Sequence, residues 1–98
     1  MEPFERFKKL ATHGNLWIWV LNLAKEEVLE DEVLKLIFEK YEFLPSNLLL
    51  KTVIFKLKNS GYIEVKKYKG KKALKITEKG KEELEKVESF LKDLLAKI

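Results

Sequence analysis

SNLLLKTVIFKLKNSGYIEVKKYKGKKALK, residues 46–75, changes its apolar period halfway along. Up to Leu57 the apolar residues Leu50, Val53, Ile54 and Leu57 recur three and four apart, the spacing of one buried helix face. Pro45 and Ser46 open this helix, with Ser46 as the expected N-cap. Asn59, Ser60 and Gly61 close it, Gly61 being suited to a left-handed C-terminal cap. From Tyr62 the period is two: Ile63 and Val65 alternate with Glu64 and Lys66, then Leu74 and Ile76 alternate with Ala73 and Lys75. Lys69-Gly70 between these runs predicts a hairpin turn in which Gly70 supplies the positive φ.

The same stretch holds most of the positive charge. It carries nine lysines against one acid, Glu64, a net of +8. Residues 1–45 sum to −3 and residues 76–98 to −1, so the whole-chain +4 understates how polarised the molecule is. A basic helix followed by a basic hairpin is the electrostatic footprint of a nucleic-acid reader.

Outward from this block, the chain reads as one domain, 1–98, with no linker or repeat. Pro3 opens an amphipathic segment with Phe4, Phe7 and Leu10 every three residues. Thr12 to Asn15 form a break, and Asn15 is the expected N-cap of a helix to about Lys25. That helix places Leu16, Trp19, Val20 and Leu23 on one face and Trp17 and Leu21 off it, so it should be buried against two neighbours. A second helix, about 31–41, has Val33, Leu36, Ile37 and Tyr41 inward. The acids Glu26, Glu27, Glu30, Asp31 and Glu32 near its start suit the helix dipole. The last helix begins at Thr77, an N-cap residue, and carries Leu84, Val87, Leu91, Leu94 and Ile98 as a coiled-coil-like seam.

Composition narrows the class. A hydrophobic content of 46% with 37% charged residues is that of a globular chain. Without cysteine there is no disulfide or thiolate metal site. The longest apolar run, Leu16 to Leu21, is far below the roughly 20 residues that span a bilayer. The N-terminus lacks the basic and apolar regions of a signal peptide, so a soluble, cytoplasmic protein without membrane contact is expected. Nineteen lysines and fourteen glutamates against one arginine, with no glutamine, suit a thermophilic, archaeal source.

Two short motifs give the element order a family. Leu57-Lys58-Asn59-Ser60-Gly61-Tyr62-Ile63 resembles the exit from a recognition helix into a wing. Leu74-Lys75-Ile76-Thr77-Glu78-Lys79-Gly80 resembles the step from the second wing strand into the final helix. With the basic Lys-Gly hairpin between them, the chain resembles a winged helix-turn-helix transcription regulator. Its spacing is most similar to the PadR-like group, with small MarR-like or archaeal winged-helix regulators as neighbours. The resemblance covers about residues 15–98. It departs at Lys51, where PadR-like proteins usually carry an aromatic residue, and at 25–32, which lacks their usual Gly-Tyr. It implies an α+β, mostly α fold: a three-helix core with a two-stranded wing (15–76), an N-terminal amphipathic segment, and a long dimerisation helix (77–98).

The implied function is sequence-specific binding of double-stranded DNA by a homodimer, as a repressor. Ser46, Asn47, Lys51, Thr52, Phe55 and Lys56 would face the major groove. Leu48 and Phe55 either touch thymine methyls or pack on the N-terminal segment or a second subunit. In the wing, Lys66, Lys67, Lys69, Gly70, Lys71 and Lys72 would meet backbone phosphates or the minor groove. Phe4, Phe7, Leu10, Leu84, Val87, Phe90, Leu91, Leu94, Leu95 and Ile98 would form the dimer interface. Trp17 and Trp19 read first as core; an effector pocket there, as in some PadR-like proteins, is the lesser reading.

No catalytic constellation is visible, so an enzyme is not expected. His13 stands alone and reads as a surface residue, and the acids 26–32 lack a cation-loop spacing, so neither a metal nor a cofactor is expected. Two other classes stay open. One is a winged-helix module docking an acidic protein partner; the other is a reader of structured RNA, the wing's lack of obvious base-stacking aromatics speaking mildly against single strands.

Overall fold

The computed structural model describes residues 2–98. Their order is α1 (Pro3–Ala11), a 3-10 turn (His13–Asn15), α2 (Leu16–Leu23), β1 (Val28–Leu29), α3 (Glu30–Tyr41), α4 (Asn47–Asn59), β2 (Ile63–Tyr68), β3 (Lys71–Ile76) and α5 (Glu78–Ala96). No helix among the described residues is long and apolar enough to cross a membrane.

Helix α2 is the hub, because its apolar residues wrap more than one side. It touches α3, α4 and α5, and Leu16, Val20 and Leu21 are buried in the middle of these contacts. Leu21, off the main face in the linear pattern, is completely buried for that reason. Trp19 is half-buried and donates its indole N–H to the Ala11 carbonyl at 2.7 Å, tying the end of α1 to the core. Its ring also lies 4.8 Å from that of Tyr41, whose hydroxyl accepts from Asn22 Nδ2. Asn15 does not cap α2 with its side chain. Its amide is used elsewhere, donating to the Leu10 carbonyl at 2.7 Å and accepting from Trp17 Nε1 at 3.3 Å. His13 is half-buried, its ring edge-on to Phe43 at 5.1 Å, so it belongs to packing more than to the surface.

Helix α4 has the ends its sequence anticipates. Ser46 Oγ accepts the Leu49 N–H at 3.1 Å. At the other end the Tyr62 N–H bonds to the Leu57 carbonyl and the Gly61 N–H to the Lys58 carbonyl, with Gly61 at φ +80°. This pair of bonds satisfies carbonyls that the helix end would otherwise leave open.

The sheet has three strands in the order β1-β3-β2, all antiparallel, where the sequence suggests a two-stranded wing. β2 and β3 pair from Ile63↔Ile76 to Tyr68↔Lys71, leaving a two-residue loop. Lys69 and Gly70 both have positive φ, as a type I′ turn demands. The added strand pairs Val28 with Leu74 and Leu29 with Ala73, and the Ile76 N–H reaches the Ala24 carbonyl at 2.8 Å. β3 is therefore a central strand. Ala73, outward in the two-stranded reading, is buried beside β1 and α3.

The two sequence motifs meet in space. Thr77 Oγ1 accepts the Gly80 N–H at 3.1 Å and donates to the Gly61 carbonyl at 2.7 Å, while the Thr77 N–H bonds to the Tyr62 carbonyl. Lys79 Nζ donates to the Ser60 carbonyl and sits 4.7 Å over the Tyr62 ring. Gly80 is buried so tightly that a Cβ would overlap the Tyr62 carbonyl oxygen and come within 2.7 Å of Ile76 Cγ1. One joint thus fixes the exit of α4, the base of the wing and the start of α5.

Beyond its first two turns, α5 leaves the core. Leu84 is buried and Val87 half-buried, but every residue from Glu88 onward is exposed. The radius of gyration, 14.2 Å, exceeds the ~13 Å of a compact domain this size because of that arm.

Candidate nucleic-acid interface

The face of α4 opposite the core is open along its length. Leu48, Lys51, Thr52, Phe55, Lys56 and Asn59 are all exposed, Leu48 at 77% and Phe55 at 62%. The Thr52 hydroxyl donates to the Leu48 carbonyl at 2.9 Å, which leaves its methyl free to face outward. Ser46 is exposed but spends an acceptor on its capping bond. Asn47, the first residue of α4, borders a groove of about 230 Å³ between α3 and α4 with Glu30, Asp31 and Lys51.

The lysines of α4 divide between two flanks. Lys51, Phe55 and Lys58 line a groove of about 310 Å³ between α4 and the wing, faced by Val65 and Lys72. Lys56 is on the other flank, beside Trp17, Tyr62 and Glu83 at an apolar cavity of about 420 Å³. Five helical positions separate Lys51 from Lys56 by roughly 140° around the axis, whereas the seven to Lys58 bring it back to within roughly 20°. The sequence signal for Lys58 was this heptad interval, hidden by its place next to the buried Leu57.

In the wing, Lys66, Lys67, Lys69, Gly70, Lys71 and Lys72 are exposed, and a Cβ on Gly70 would meet nothing within 4 Å. The Tyr68 hydroxyl donates to Glu27 at 3.1 Å, linking the wing to the segment before β1. Lys67 and Lys72 are direct cross-strand partners. Like charges so placed destabilise a hairpin unless an anion lies across them.

Glu64 is the one acid within the basic block, and no lysine of the block is ion-paired among the described residues. The ion pairs among the described residues join Glu5 to Lys8, Lys35 to Glu39, Glu78 to Lys81 and Glu83 to Lys86. None includes a lysine from residues 46–75. Lys86 Nζ donates to Glu83 Oε1 at 2.8 Å, and that hydrogen bond, aided by the carboxylate charge, holds the Lys86 pKa above its ordinary value.

The apolar residues assigned to an interface separate into two groups. Phe4, Phe7 and Leu10 on α1, and Phe90, Leu91, Leu94, Leu95 and Ile98 on and just past α5, are exposed. Leu84 is not available, being buried against its own core, and Val87 is partly covered. The seam read from the sequence therefore starts as intramolecular packing and becomes surface only near Phe90. Trp17 and Trp19 pack against the core cluster, Trp17 also bordering the cavity beside Lys56.

No protein-family model matches this chain, and no curated protein matches it in sequence. Solved structures do share its architecture, and they define it as a winged helix. A PadR-family transcriptional regulator from Eggerthella lenta superposes with a TM-score of 0.76 at 19% identity, over 95% of this chain and 82% of that one. A PadR-like transcription factor from Bacteroides fragilis gives 0.72 at 20% identity, over 94% of each chain. A winged-helix DNA-binding protein from STIV gives 0.70 at 21% identity, over 88% of this chain and 91% of that one. At these identities the likeness is one of fold, and it extends over 88–95% of this chain.

Proposed function

We propose that this chain is a double-stranded DNA-binding transcription regulator that works as a homodimer and represses by occluding its site. The observation that carries the reading is the uncompensated lysine field on α4 and the wing, with Lys67 and Lys72 opposed across the hairpin. α4 is a helix of 13 residues with an exposed mixed face, a form that enters a major groove. Asn47, Lys51, Thr52, Phe55 and Lys58 would meet base edges and adjacent phosphates there. Lys56, on the far flank, would reach only backbone. Lys66, Lys67, Lys69, Lys71 and Lys72 would hold phosphates flanking the site, giving affinity without sequence reading. That similar structures are described as transcriptional regulators and a DNA-binding protein supports the assignment.

Dimer formation rests on the exposed apolar run from Phe90 to Ile98 together with Phe4, Phe7 and Leu10. An apolar surface of this extent is unusual on a monomer. Two copies joined through α5 would present two α4 helices to a pseudo-palindromic site in the cytoplasm. The whole span 1–98 acts as the unit, with 15–76 reading DNA and 77–98 pairing.

The test is selection from a random duplex library at near-physiological salt. An enriched motif with two-fold symmetry is expected. A second reading, docking of an acidic protein partner, draws on the exposure of Leu48 and Phe55. Failure to enrich any duplex would transfer the basic face to that partner.

A further inference from the structure

The groove between α4 and the wing is basic except for one carboxylate. Lys51 and Lys58 stand on the α4 wall and Lys72 on the β3 wall, with Phe55 and Val65 between them, and Glu30 also borders the space. Glu30 borders the neighbouring groove of Asn47 as well, so with Lys51 and Ile54 it stands where both meet. The sheet register explains the placement. Leu29 pairs with Ala73, so the chain leaves β1 for α3 at Glu30 next to Lys72, which is still within β3. Even so, Glu30 forms no ion pair among the described residues.

Helix-start electrostatics accounts for an acid in the first turn of α3, but Asp31 and Glu32 serve the dipole there too. It gives no reason for one of the three to line a groove that otherwise collects cations. Beside a phosphate, a half-buried carboxylate is repulsive. Beside a cytosine edge in the major groove, it is a matched acceptor for the exocyclic N4 amino group. Resting on the DNA reading above, we infer that Glu30 is a specificity determinant. It accepts from a cytosine amino group in each half-site, and its charge keeps phosphate oxygens away from it. The groove then meets base edges at Glu30 and backbone toward the wing tip.

The experiment compares wild type, E30A and E30Q by selection from the random duplex library and by equilibrium binding to the selected and a scrambled duplex. Wild type should prefer cytosine at one position per half-site. E30A should lose that preference, with discrimination falling roughly tenfold. It should also bind scrambled duplex roughly threefold more tightly, as removing a repulsive charge from a partly solvated groove implies. E30Q should shift the preference toward adenine, because an amide matches the adenine N6 and N7 edge. That switch is one which a merely structural role for Glu30 would not produce. Recovery of the wild-type motif from both variants would overturn the assignment, as would an equal loss of affinity for every duplex. If wild type itself enriched nothing, the DNA reading would fall, an outcome distinct from a wild-type motif that ignores Glu30.

Discussion

Thr77 Oγ1 donates to the Gly61 carbonyl across 16 positions of sequence, at 2.7 Å, while accepting from Gly80 N–H in its own helix. One hydroxyl therefore serves as N-cap of α5 and as clasp on the end of α4. Thr77→Ala should lower stability by about 1–2 kcal/mol, from a lost cap and an unpaired carbonyl, and Tm by about 5–10 °C. Thr77→Ser keeps the hydroxyl and should recover most of the loss. Thermal and urea unfolding of the three proteins measure it.

Gly80 and Gly14 make a controlled contrast. A Cβ at Gly80 meets the Tyr62 backbone, which cannot yield without shifting the wing; at Gly14 it meets the Leu10 side chain at 3.4 Å. Gly80→Ala should cost about 2 kcal/mol or more, and Gly14→Ala should stay within about 1 kcal/mol of wild type. Equal effects in denaturant titrations would contradict the close packing of α5 on Tyr62.

Lys67→Glu should move stability and affinity in opposite directions. Facing Lys72, the new carboxylate replaces a repulsive cross-strand pair with an attractive one, about 0.2–1 kcal/mol more stable. DNA binding should weaken at the same time. A variant that lost both would show that Lys67 supports the hairpin instead of a ligand.

The triple variant Lys69→Asn, Lys71→Gln, Lys72→Gln should reduce the slope of log affinity against log salt by about 2.7, three phosphate contacts at about 0.9 each. Asn at 69 is chosen because that position has φ +50°, which asparagine tolerates better than most residues. The loss should be equal for selected and scrambled duplexes. An unchanged slope would remove the wing from the interface.

Leu84 and Leu94 belong to one heptad pattern but should fail differently. Leu94→Glu should leave the fold intact and yield monomers by sedimentation, because Leu94 is exposed in the single chain. Leu84→Ala should lower stability by about 2–4 kcal/mol, as expected for a buried leucine. A dimeric Leu94→Glu protein would sink the α5 interface.

The sequence made α4, the hairpin and α5 legible because each has a clear period and an end signal. Ser46, Gly61, Lys69-Gly70 and Thr77 all sit where their chemistry places them. β1 escaped because two residues, Val28 and Leu29, have no period to detect, and only its pairing with β3 explains why Ala73 is buried. Leu84 was legible as apolar but not as core, since periodicity gives a helix face without saying where that face leaves its own domain. In the candidate interface, lysine count located the surface, but rotation about the α4 axis decided that Lys58 joins Lys51 and that Lys56 does not. Glu30 was legible only as a helix-start acid. The register that carries it into the groove depends on the strand that sequence periodicity could not reveal.

β3 ends at Ile76 and α5 begins at Glu78, so a single residue, Thr77, separates sheet from arm. Such a junction has no slack. In a pair of chains held through α5, the angle at which those helices cross becomes the distance between the two wings. Adding one residue to α5 between Leu84 and Phe90 would turn the far end by about 100° and advance it by about 1.5 Å. The operator spacing that such a dimer would accept would then be written in the helical phase of the arm and not in any residue proposed to touch DNA.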